Sequence, residues 1–130
     1  MSFSPIDDAT RTQITADLAE AAVRGINGAT DDIVASFERD LGHYLGLHPD
    51  LQREFPRGET ARIYGTALGE ALCRELDLSW QMLADDYGTD LVVADDAGEH
   101  YAAPLVVVMS RFDDEETGKL TAFVKQFRAR

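Results

Sequence analysis

The chain has 130 residues, 45% hydrophobic and 28% charged, which fits one globular domain able to bury a core without disulfides or a structural metal. Its 24 acids outnumber its 12 bases, and the formal charge of −12 argues against nucleic acid or an anionic membrane as the main partner. Cys73 is the only cysteine, so no internal disulfide can form and a reducing compartment is expected. The opening Met1-Ser2-Phe3-Ser4-Pro5 has neither a basic n-region nor an apolar h-region, so no secretory leader is expected. No apolar run approaches the ~20 residues of a membrane span, and a cytoplasmic location is the resulting expectation.

The first helix is predicted to start at Ser4, with Pro5 at its first position and Asp7 at the positive end of the dipole. Ile14, Leu18, Ala22 and Ile26 would form its apolar face, and Gly25 and Gly28 would end it. Thr30, followed by Asp31 and Asp32, starts a second helix with Ile33 or Val34, Phe37, Leu41 and Tyr44 or Leu45 on its buried side. Gly46 and Pro49 stop it. Leu47 to Arg57 reads as a loop with at most one short turn.

The third helix, Glu59 to Leu76, is apolar around most of its circumference. With Leu68 as reference, Leu72, Leu76, Tyr64, Ala61, Ala71 and Gly65 fall within about 80° of it. Polar side chains are confined to a strip around Thr66, Glu70 and Arg74. Such a helix is central and packed on two sides. Gly65 and Gly69, one turn apart, open a shallow groove for the close approach of another backbone.

After Leu76 the period changes to two. Ser79 to Asp85 alternates Trp80, Met82 and Ala84 against Gln81, Leu83 and Asp85. Tyr87-Gly88-Thr89-Asp90 is a turn signal, Leu91 to Ala94 a strand, and Asp95 to Glu99 a second turn. Tyr101 leads through Pro104 into a third strand, Leu105 to Met109, apolar on both faces and therefore covered on both. A final helix would carry Asp113, Asp114, Glu115 and Glu116 in its first turn and Lys125, Arg128 and Arg130 in its last. Residues 1–130 thus read as a single α+β domain: three N-terminal helices, a three-stranded antiparallel meander and one C-terminal helix.

The order Gly65-x-x-x-Gly69-Glu70, Leu76, Trp80, Asp85-Asp86-Tyr87-Gly88-x-Asp90-Leu91, then Pro104 and an apolar run, resembles a bacterial family called domain of unknown function 3806. The likeness spans Tyr64 to Ser110. It implies a bacterial, cytosolic protein with this helix-then-meander core. It implies no activity and no catalytic residues.

The residues themselves argue against catalysis. His43 and His48 are five residues apart, about 140° around a helix, and do not face one ligand. No cysteine or histidine pair has zinc spacing. Asp85, Asp86, Asp90, Asp95, Asp96, Glu99 and His100 offer hard ligands, but their two turns belong at opposite ends of the middle strand, ~17 Å apart. No metal and no other cofactor is expected. Cys73 sits mid-helix among apolar residues, which suits a buried thiol. Glu70 is explained by an i,i+4 pair with Arg74, and Trp80 by core packing.

Charge is the positive signal. From Glu75 to Glu116 there are twelve acids and one base, Arg111. The expected function is a non-catalytic protein-binding domain, of the kind that masks a basic enzyme as an inhibitor or immunity protein does. Its binding face would be Asp85, Asp86, Tyr87, Asp90, Asp95, Asp96 and Glu99. One alternative is a small-ligand protein or enzyme with a cleft between the third helix and the meander, at Gly65, Gly69 and Glu70. Another is a structural domain that self-associates as a homodimer through the two-sided last strand and the C-terminal helix.

Overall fold

The computed structural model describes residues 1–130. In chain order the elements are β1 (Ser2–Pro5), α1 (Asp8–Val23), α2 (Thr30–Leu45), α3 (Pro49–Glu54), α4 (Arg57–Leu76), β2 (Ser79–Asp85), β3 (Gly88–Ala94), β4 (Tyr101–Ala102), α5 (Pro104–Ser110), a 3-10 turn (Arg111–Asp113) and α6 (Lys119–Arg128). The architecture is α+β, with six helices and a four-stranded antiparallel sheet in the order β1-β2-β3-β4. Helix and strand counts therefore differ from the predicted four and three.

Helix α4 is the central element. Eleven of its residues are buried, among them Ile63, Tyr64, Leu68 and Leu72. It packs against α1, α2, α5 and the β2–β3 hairpin, as its apolar circumference required. Its last residue hands over to Asp77 in the left-handed region (φ 55°), which closes the helix with a bond from the Asp77 N–H to the Cys73 carbonyl. Trp80 and Val93 join the main core from the sheet, while Leu83, Val92 and Ala94 form a small second cluster on the opposite face. Phe3 and Tyr101 cover that second cluster, edge to face at 5.5 Å.

Five differences from the sequence reading have physical causes. Ser4 and Pro5 do not start a helix; they belong to β1, an edge strand paired with β2 in the register Phe3↔Leu83. Proline is tolerated there because an edge strand leaves N–H positions free. Asp7 caps α1 instead, accepting from the Thr10 N–H at 2.8 Å. The buried face of α1 is Ile14, Asp17 and Ala21, not Ile14, Leu18 and Ala22. Residues 49–54, within the segment predicted as a loop with at most one short turn, form a six-residue helix with Pro49 at its start.

The fourth difference is the largest. Leu105 to Met109 is helix, not strand, and the meander's last strand shrinks to Tyr101–Ala102. Pro104 occupies the first helical position, where its missing N–H costs nothing. The β-branched run Val106-Val107-Val108 has poor helix propensity, but α5 seats on α4, where Gly65 and Gly69 let its backbone come close. The segment expected to pair across a two-fold axis as a strand is therefore a helix lying on the protein's own core. Fifth, Asp113 to Glu116 do not open the last helix. A 3-10 turn ends at Asp113, and α6 starts only after Gly118, whose φ of 105° interrupts helical geometry. Asp114 instead pairs with Arg111 at 3.1 Å and Lys119 at 3.8 Å.

Candidate functional site

The acidic face is built on the β2–β3 hairpin. Asp85 pairs with Gly88 across the turn, so Asp86 and Tyr87 are its two tip residues. The Asp85 carboxylate accepts from the Tyr87 N–H at 2.8 Å, and Gly88 supplies a φ of 130°. These local bonds turn the chain without help from the core, and Tyr87 is left 99% exposed. Asp85, Asp86 and Asp90 are exposed beside it.

The second turn lies at the far end of β3, where Ala94 pairs with Tyr101. The seven predicted residues therefore form two groups, Asp85 to Asp90 and Asp95 to Glu99. Asp95 is a turn holder. Its Oδ1 accepts from the N–H groups of Glu99 and His100 at 2.9 and 3.2 Å. The His100 N–H is the largest cause holding the Asp95 carboxyl below the usual carboxylate range. His100 also fastens this turn to α6, with Nε2 2.8 Å from the Phe127 carbonyl. Asp96 and Glu99 face solvent. Every ion pair in the structure is made by residues outside 77–100, so no cation neutralises these acids.

The glycine face of α4 is filled. A Cβ on Gly65 would lie 2.6 Å from the Leu105 Cα, and one on Gly69 would lie 2.3 Å from the Trp80 ring. No cleft opens there. Glu70 does not pair with Arg74: it accepts from the Trp80 indole N–H at 2.9 Å, while Arg74 donates to the Gly28 carbonyl at 3.0 Å. Trp80 itself is half-buried at the margin of the core.

The polar strip of α4 is a row of tethers rather than a solvated stripe. Arg62 and Thr66 both reach Asp17 on α1, at 3.2 and 3.3 Å, and Thr66 is 1% exposed. Asp17 is 3% exposed and accepts a further bond from Gln13 at 2.8 Å. Sequence reasoning missed this carboxylate because its polarity assigned it to water. Its spacing was the available signal: Asp17 stands three residues after Ile14 and four before Ala21, inside the buried stripe.

A second polar cluster joins α2 to α4. The Tyr64 hydroxyl donates to Asp40 and lies 2.9 Å from the Ser36 hydroxyl, which accepts from Arg39 at 3.2 Å. Burial, then the neighbouring Asp40, pushes the Tyr64 phenol up to about 12. It stays protonated at neutral pH and serves as a donor, not a base. Cys73 is pushed up to about 12 by burial and then by Glu70, so its thiol is not an activated nucleophile. No group of three His, Cys, Asp or Glu side chains converges on a metal-sized site. No helix is long and apolar enough to cross a membrane.

This hairpin-on-helix unit, α4 through the start of α6, coincides with a known domain. The family model for "Domain of unknown function (DUF3806)" matches residues 52–123, more than half of the chain, and the protein belongs to that family. The match covers the acidic face, the glycine face and α5. It leaves out α1 and α2, although Ala21, Ile26, Ile33, Val34, Phe37 and Leu41 all belong to the main core. No curated protein and no solved structure matches the chain.

Proposed function

We propose that the protein works by binding and not by catalysis, docking a basic protein on the β2–β3 hairpin as an inhibitor or immunity-type module would. One observation carries this reading: Asp85, Asp86 and Asp90 stand exposed and unpaired around a tyrosine that is 99% exposed. An exposed aromatic framed by one sign of charge is a suitable anchor for a partner of the other sign. Asp96 and Glu99 extend the field at the other end of β3. A bacterial cytosolic setting goes with this reading and rests on the family resemblance and the lone thiol.

The experiment is capture from cytosol with a photo-crosslinker in place of Tyr87, at low and high salt, followed by rate measurements with the captured protein. A basic protein should crosslink stoichiometrically at low salt and be released by high salt. With Asp85→Asn, Asp86→Asn and Asp90→Asn combined, association should slow by about tenfold and its salt dependence flatten. The asparagine at 85 keeps the oxygen that holds the turn. An unchanged association rate removes this face from the mechanism.

A further inference from the structure

A pocket of about 210 Å³ lies between α1, α4, the hairpin and the start of α5. Ile14, Met82, Leu91 and Leu105 form its apolar walls, and Asp17 and Arg62 stand at its polar end. It is open to solvent on one side, and a ~150 Å³ apolar cavity suffices to hold benzene. Here there is room for a six-membered ring and a headgroup.

The donor set selects the headgroup. Asp17 is 3% exposed and keeps acceptor capacity, since Oδ2 holds only the 3.3 Å bond from Thr66. Arg62 spends Nε on Asp17 at 3.2 Å, and its two Nη groups, on a side chain 46% exposed, make no hydrogen bond within the protein and are open to a ligand from solvent. The pair presents an acceptor and donors side by side with no net charge. A ligand carboxylate would face the like charge of the buried Asp17, and an ammonium would face that of Arg62. An uncharged group that donates and accepts at once suits both partners.

We propose that this pocket binds a small neutral molecule with an apolar body and a donor–acceptor headgroup, such as a primary amide, through Asp17 and Arg62. The site does not depend on the hairpin's docking a partner. It lies between α4 and the meander, but at Asp17, Arg62, Met82 and Leu91 rather than at Gly65, Gly69 and Glu70. Helix α1, which supplies Asp17, falls outside the matched family residues.

Benzamide, benzoate and benzylamine, matched in shape and differing in headgroup charge, are the probes for an amide-resolved NMR titration of the full chain. Benzamide should give saturable shifts at Gln13, Asp17, Arg62 and Leu91, and bind at least about tenfold more tightly than either charged analogue. Leu91→Phe, which fills the pocket, should abolish those shifts and leave the rest of the spectrum in place. Should that variant fail to fold, the three-probe comparison on the unaltered chain decides alone. Absence of saturable shifts at these residues, equal or tighter binding of benzoate or benzylamine, or benzamide binding that survives Leu91→Phe would each overturn the proposal.

Discussion

Gly58, Gly65 and Gly69 share one helix and differ in what surrounds them. An added Cβ at Gly58 meets nothing within 4 Å, whereas at Gly65 it meets the Leu105 backbone at 2.6 Å. Alanine is worth about 1 kcal/mol over glycine inside a helix. Gly58→Ala should therefore raise stability by about 0.5–1 kcal/mol in urea denaturation. Gly65→Ala should lower it by about 2 kcal/mol despite the same propensity gain, because α5 must back away from α4. Cys73 gives a second residue-scale expectation. With its thiol pushed up to about 12, it should react slowly with an aromatic disulfide reagent at neutral pH in the native protein, and promptly once urea unfolds the chain. Fast native labelling would show that the helix around it opens readily.

Among the elements, α5 shows how tertiary context overrides propensity. Its three consecutive valines favour extended structure, yet Val108 is fully buried and Pro104 sits against Gly69. Val106, on the open side, is 54% exposed. Val106→Ala should keep or slightly raise the melting temperature, since it improves helix propensity and removes little buried surface. The β3–β4 turn offers the complementary case. Asp95 accepts two backbone N–H groups while Asp96 makes no hydrogen bond. Asp95→Ala should lower the melting temperature and raise amide exchange at Glu99 and His100, and Asp96→Ala should do neither.

For the whole molecule, pH and salt report the charge balance. Tyr64 is raised from 10 to about 12 and Cys73 from 9 to about 12. A group whose folded value is raised holds its proton longer in the native state, so the native state binds more protons between the two values. Its contribution is complete below pH 9 and is lost as pH rises toward 12. Tyr64→Phe should flatten the alkaline fall seen in urea melts. On the acid side Arg128 holds Glu75 low, and backbone N–H groups hold Asp7 and Asp95 low. Their contribution is present above about pH 4 and is lost as pH falls below it. With a formal charge of −12, moderate salt should raise the melting temperature by screening self-repulsion.

The α+β class, the central helix (read as 59–76, observed as 57–76), the β2–β3 hairpin and the exposed acidic tip were legible in the sequence. Each depends on local rules: the 3.6 and 2.0 periods, and aspartate and glycine chemistry in turns. The glycine pair announced a close approach, but not that α5 and Trp80 would fill it. Strand β1 was hidden because four residues gain sheet structure only from partners nearly eighty positions away. Asp17 was hidden because a carboxylate can be buried only where Gln13, Arg62 and Thr66 converge on it, and that convergence exists only once α1 lies on α4. Sequence alone determined which segments turn, coil and carry charge; tertiary packing decided the fate of 105–109 and placed a buried carboxylate beside an apolar hollow, because both depend on surfaces that no single segment owns.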